Sequence, residues 1–352
     1  MSIKRVLVQL ALASPALLPM VGTAASAEPA TQTAGNFFVE AGAGYERQEL
    51  PGFGYGKNYG GTHLANNDDD AKGLRWGLGA GYILGDQGWL GSNQRVALRY
   101  SRLKDDSTVS TAPAAPAVSF DPLVGIVSFD GLHADSYGNN PYLSGMETRT
   151  DVKMDYKNDE LSLSFEGDNA YSAGMILTTS LALIVGRTQS DNLAHVSGIA
   201  ASGVGAFTQD SYGRANLDRK YAGPELAMNL TYGLGSGFSL GGGAKLAALV
   251  QRSNLSASDC ADRGGGGDGI CDGLVYQTSV SQTKTDLTYR GSLRAGIAYN
   301  AGPATLGLDA YAGLDRARMK IVTPHAVGDA AVHVDNETLT TLGGRLYLQI
   351  KF

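Results

Sequence analysis

The chain has 352 residues, 43% hydrophobic and 18% charged, with 48 glycines and a formal net charge of −6. The apolar share is too high for a disordered chain, and the glycines lack the period of three that marks collagen. A mean hydropathy of −0.11, with no later apolar run near 18 residues, excludes a helical membrane protein, and the acidic balance argues against nucleic acid as a partner.

At the N-terminus, Lys4 and Arg5 precede a mostly apolar stretch from Val6 to Val21, and Ala25-Ser26-Ala27 follows. This is the pattern of an export signal spanning residues 1–27, and Pro15 and Pro19 would break a buried helix there. Residues 28–352 then form one domain without a detectable internal boundary.

From Asn36 onward apolar side chains recur at every second position, which predicts strands near 36–46, 73–84, 93–103, 150–165, 171–190, 214–234, 238–256, 275–299, 304–318 and 336–352. Short connections near 85–92, 166–170, 235–237 and 300–303 alternate with long ones at about 47–72, 104–149, 191–213, 257–274 and 319–335. Long alternating strands with short turns at one end and long loops at the other mark an all-β, antiparallel up-and-down transmembrane barrel. About ten strands are expected, or twelve if the longest loop splits, with short periplasmic turns and long extracellular loops. A soluble sandwich would use strands of about 5–6 residues. Phe37 and Tyr45, and Tyr289 and Tyr299, are spaced like the two aromatic girdles of a bilayer-crossing wall.

Within the long loops, Cys260 and Cys271 bracket a glycine-rich stretch, and in an exported chain a disulfide is the favoured reading over metal. Asp68-Asp69-Asp70 and the group Asp259, Asp262, Asp268 and Asp272 offer oxygen ligands that suit hard divalent cations and could bridge to phosphorylated lipid. No calcium-loop motif accompanies them, plain solubilising charge is the simpler reading, and no metal or cofactor is assigned. The segment 111–129 of the longest loop could fold into the lumen, form an adhesive tip or lie on the surface. All five histidines, His63, His133, His195, His325 and His333, fall in predicted long loops. His133 and Asp135 mimic the His–Asp pair of omptin proteases without any surrounding omptin motif, so an omptin-like protease ranks last and no catalytic residue is assigned.

The terminal strand, Gly344-Arg345-Leu346-Tyr347-Leu348-Gln349-Ile350-Lys351-Phe352, resembles that of Gram-negative outer-membrane proteins. The resemblance implies that Phe352 is an assembly signal read by the barrel-assembly machinery. It also places the exported chain in the cell outer membrane, against lipid and lipopolysaccharide. Tyr221-Ala222-Gly223-Pro224-Glu225-Leu226, the hairpin Tyr232 to Leu240, and Met154-Asp155-Tyr156-Lys157-Asn158-Asp159-Glu160-Leu161 resemble the pore-forming family of the Legionella major outer membrane protein. That likeness implies a porin-like role and transfers no catalytic residue.

Strand parity turns Arg75, Arg95, Arg99, Lys245, Arg290, Arg294, Arg345 and Lys351 inward, with Glu40, Glu160, Glu225, Asp309 and Asp315. Base exceeds acid, and the inward glycines Gly42, Gly44, Gly77, Gly79, Gly81, Gly241 and Gly243 leave space beside the arginines. The expectation is a narrow channel for passive passage of small solutes with a weak anion preference. If the charges instead pair off, the barrel is plugged and acts through its acidic extracellular loops as a surface interaction protein.

Overall fold

The computed structural model describes residues 37–50, 53–57, 63–67, 70–85, 89–111, 124–132, 134–137, 146–200, 208–263, 274–324 and 326–352. Fourteen strands occur among them: β1 (Phe37–Gln48), β2 (Phe53–Lys57), β3 (His63–Asn67), β4 (Ala71–Gly85), β5 (Ser92–Thr111), β6 (Val124–Val127), β7 (Ala134–Tyr137), β8 (Met146–Ser172), β9 (Met175–Ala200), β10 (Thr208–Gly235), β11 (Phe238–Arg263), β12 (Leu274–Ala301), β13 (Ala304–Val322) and β14 (His333–Lys351). Ten of them close into a ring in the order β1-β14-β13-β12-β11-β10-β9-β8-β5-β4. Every neighbouring pair in the ring is antiparallel, and β1 closes against β14 from Phe38↔Lys351 to Gln48↔Thr341.

The apolar stripe faces outward. Leu78, Leu98, Leu163, Leu183, Leu226, Leu240, Leu246, Leu293, Leu308 and Leu346 are all exposed on the wall. In water such a belt would be untenable for a monomer; against acyl chains it is the favourable surface. At the short-turn end Phe37 lies 6.4 Å from Phe352 and Phe238 lies 4.8 Å from Tyr299, ring to ring. Tyr45 and Tyr289 stand exposed at the other edge of the belt. A closed antiparallel up-and-down ring with this belt is a membrane-spanning β-barrel.

The wall is taller than expected. β10 runs 28 residues, whereas one crossing takes about 9–11. The outer edge of the belt is visible as a change of chemistry between cross-strand rows. Val185, Ala222 and Val250 are paired neighbours, and the next outward-facing row is Arg187, Lys220 and Arg252. Much of what reads as long loop is therefore strand. β5 continues to Thr111, β9 to Ala200 and β11 to Arg263, while β10 begins at Thr208. The connection expected near 166–170 lies instead between Ser172 and Met175, because β8 continues to Ser172.

The segments between β1 and β4 and between β5 and β8 fold together. They contribute a separate four-stranded sheet of order β3-β2-β6-β7. Phe53 and Tyr55 of β2, with Phe129 after β6, are buried against Val152, Ala194, Val196, Leu217, Leu255 and Met319. Those wall residues belong to β8, β9, β10, β11 and β13, so the cluster fills the outer half of the ring. The Phe129–Tyr55 edge-to-face contact, 5.3 Å between centroids, sits at its centre. This part of the longest connection goes inward; residues 112–123 lie outside the described set.

Candidate functional site: the interior of the barrel

Below the apolar cluster the interior is polar, and most of its charges are joined; among the described residues Lys351 stands in no ion pair. Arg95 Nε donates to Glu166 Oε2 at 2.7 Å, and its Nη1 lies 3.2 Å from Asp168 Oδ2. Arg99 bridges Glu40 and Glu166. Arg75 Nη1 reaches both carboxylate oxygens of Glu46, at 2.9 and 3.0 Å, while Tyr311 donates to the same group at 2.6 Å. Arg290 pairs with Glu160 from the far wall. Arg345 and Arg294 share Asp309, at 3.0 and 3.7 Å, and Lys245 pairs with Glu225 at 3.2 Å. The guanidinium groups of Arg219 and Arg290 both lie over the Tyr221 ring, 4.9 and 5.1 Å from its centroid, cation–π contacts that add to the pairing.

Each of Arg75, Arg95, Arg99, Lys245, Arg290, Arg294, Arg345, Glu40, Glu160, Glu225 and Asp309 thus stands in an ion pair, and Asp315 pairs with Arg219 at 3.3 Å. Three acids absent from the parity reading supply the missing partners: Glu46, Glu166 and Asp168. Parity was enough to find Glu46, at an even position like Glu40. Glu166 and Asp168 lay beyond the expected end of β8. Arg219 is at the same parity as Glu225 and was legible too. Arg318 was not, because one extra residue in β13 shifts the register between Asp315 and Arg318, with Ala317 at φ 58°.

Neighbouring side chains and backbone close in on most of the inward glycines. A methyl group at Gly81 would lie 2.2 Å from Phe38 Cζ, and one at Gly79 would lie 2.7 Å from Glu40 Cγ. At Gly243 it would meet Asn229 Oδ1 at 2.0 Å, and at Gly44 the Gly344 carbonyl oxygen at 2.0 Å. The expected space is where neighbouring side chains and backbone lie flat on the wall. Gly241 alone among the seven has no neighbour nearer than 3.8 Å.

At the outer end, Phe129 N donates to Asp259 Oδ2 at 2.9 Å, Thr278 donates to the other oxygen, and Val332 N donates to the Phe129 carbonyl at 2.6 Å. Asp259 is 2% exposed. It lies past the membrane edge, and burial, with Asp130 nearby, pushes its carboxyl up to about 7 against those hydrogen bonds. Asp259 is thus an anchor of the inserted segment, not solubilising charge. Asp70 pairs with Arg47. Asp68, Asp69, Asp268, Asp272, Cys271, His133 and His325 fall outside the described residues, and Cys260 sits near the outer end of β11. His195 is on a strand, its Nε2 2.9 Å from Asp210 Oδ1 and its ring stacked 4.5 Å from that of Tyr212. His333 opens β14, where Nδ1 contacts the Ala331 carbonyl, and His63 lies in β3. Among the described residues no three His, Cys, Asp or Glu side chains gather as a metal cage.

Neither a family model nor a curated protein matches this chain, so the likeness to the Legionella major outer membrane protein family rests on the residues quoted above. Among solved structures the chain is similar to the outer membrane protease OmpT of Escherichia coli, at 12% identity over 91% of this chain and 98% of that one, with a TM-score of 0.44. It is also similar to Neisserial surface protein A, at 13% identity over 91% and 100%, TM-score 0.25. The toluene transporter TodX of Pseudomonas putida matches at 8% identity over 90% of each chain, TM-score 0.27. These neighbours are outer-membrane β-barrels, and nothing about activity follows from likeness at this level.

Proposed function

We propose that the exported chain is a closed outer-membrane barrel of a Gram-negative cell that acts through its extracellular face. On this reading it is a rigid platform for surface interaction, carrying acidic loops outside lipid and lipopolysaccharide, and its assembly uses the terminal Phe352. The observation that carries the proposal is the Arg290–Glu160 pair, which joins β12 to β8 across the ring at the level where a channel would have to pass. A ten-stranded ring is only slightly wider than one its own side chains fill. The inserted Phe53, Tyr55 and Phe129 close the outer half independently. The arrangement supports this reading over a porin-like channel for small solutes. Planar-bilayer recording of the purified protein tests it: an absence of stable conductance steps is expected, and reproducible single-channel steps overturn it.

A further inference from the structure

The boundary between the apolar cluster and the charged interior holds a cavity of about 40 Å3. Leu217, Met319 and Ile321 line it, with Arg219, Arg318 and Thr188 among its polar lining residues. Three observations about these polar groups agree. Arg318 is 3% exposed, and its hydrogen bond is to a neutral partner, the Tyr156 hydroxyl at 2.5 Å. Among the described residues no carboxylate lies within ion-pair distance of it. The nearby carboxylate, Asp315, is engaged by Arg219 at 3.3 Å and by the Thr288 hydroxyl at 2.7 Å. Finally, Thr188 is 5% exposed, and among the described residues its hydroxyl has no hydrogen-bond partner.

Of two buried guanidinium groups only Arg219 thus reaches a carboxylate, leaving the positive charge of Arg318 in excess, beside an orphan hydroxyl donor and an empty volume. Burying an unpaired cation is strongly unfavourable, and natural interiors compensate such charges. Protein side chains here do not. We propose that this cavity binds one small monovalent anion, chloride or a carboxylate of formate size, held by Arg318 and Arg219 and accepting a hydrogen bond from Thr188 Oγ1. Monovalency follows from the single excess charge. The size limit follows from a volume that admits a few waters or one small ion. The apolar sides favour an ion that sheds its hydration easily over a strongly hydrated dianion. Water alone would satisfy the Thr188 hydroxyl but leave the charge uncompensated.

The test folds the full-length protein from urea into detergent micelles in mixtures of sodium chloride and sodium gluconate at constant ionic strength, gluconate being too large for the cavity. The thermal midpoint is followed by heat-modifiable gel migration. The midpoint is expected to rise with chloride and to saturate, and formate to substitute for chloride. Thr188→Val, which keeps the shape and removes the donor, raises the half-saturating chloride concentration about tenfold. Arg318→Gln removes the chloride dependence. A midpoint indifferent to chloride in the unaltered protein overturns the proposal, as does an unchanged chloride response in Thr188→Val. Crystals grown in bromide give an independent reading: an anomalous peak between Arg318 and Thr188 supports the site, and its absence at saturating bromide overturns it.

Discussion

Arg290 Nη1 donates to Glu160 Oε2 at 2.5 Å, between strands separated by β9, β10 and β11 in the ring. The Tyr221 hydroxyl lies 2.9 Å from the same carboxylate oxygen and its ring lies under the Arg290 guanidinium, so one carboxylate ties three strands together. Removing one partner of such a pair strands the other, at a cost of about 3 kcal/mol or more. Glu160→Gln is therefore expected to lower stability by that amount in urea unfolding from lipid vesicles. The double change Glu160→Leu with Arg290→Met removes both charges and should cost less than Glu160→Gln alone. A double variant less stable than the single one would show that the pair, not the stranded charge, carries the energy.

The outward stripe sets a second expectation. Leu246 is 67% exposed and Leu230 is 37% exposed, both in mid-belt. Arginine at either should cost about 2–4 kcal/mol near the bilayer midplane. Thr231 is on the opposite face of β10 from Leu230, paired with Gly241, where a methyl group would meet no atom nearer than 3.8 Å, and Thr231→Arg should cost distinctly less. The same vesicle unfolding experiment reads all three, and equal losses at 230 and 231 would contradict the observed facing.

What could be read from the sequence was what the bilayer imposes. The belt forces apolar residues onto alternate positions, so Leu226, Met228 and Leu230 mark both the strand and its lipid face, and parity then locates Arg75 or Glu225 inside. Past Val250 the outward positions become Arg252, Asn254, Ser256 and Ser258, an alternation without an apolar stripe, and from residue 257 the strand reads as loop. The inserted strand β2 escaped for a related reason, whereas the inward course at Phe129 was one of three readings left open. Phe53, Tyr55 and Phe129 are isolated aromatics in glycine- and serine-rich surroundings, and their common environment exists only once distant segments meet. The extra residue before Arg318 hides that side chain from any parity argument. The glycines misled because a missing side chain signals space, while only the fold tells which neighbour occupies it.

The cysteines carry a third prediction. Cys260 lies near the outer end of β11, beyond the membrane edge, and the expected bond to Cys271 would close a surface connection. Strand pairing between β11 and β12 extends from Phe238↔Tyr299 outward without depending on it. Reduction should therefore leave heat-modifiable migration intact. Mass spectrometry after alkylation of the native, unreduced protein should find no labelled thiol, and two labelled cysteines would refute the bond.

The anchor of the inserted segment makes stability depend on pH in a direction opposite to that of an ordinary surface carboxylate. Asp259 has an ordinary value near 3.8 when unfolded, and burial raises it to about 7 in the fold, so the folded state binds the proton more tightly. Stability is then fully present below about pH 4, declines as pH rises between those two values, and levels off above 7. The span corresponds to at most about 4 kcal/mol, as the shift is worth roughly 1.4 kcal/mol per unit. The ionised form retains bonds from Phe129 N and Thr278 Oγ1, but it sits near Asp130 in an apolar setting. Asp259→Asn keeps an acceptor for the Phe129 amide and carries no charge at any pH. The variant should match the unaltered protein below about pH 4, where Asp259 is protonated in both states, and exceed it at pH 8 in urea unfolding. A variant that is less stable at pH 8 would mean that the ionised carboxylate holds the segment in place, and would reverse the assigned direction.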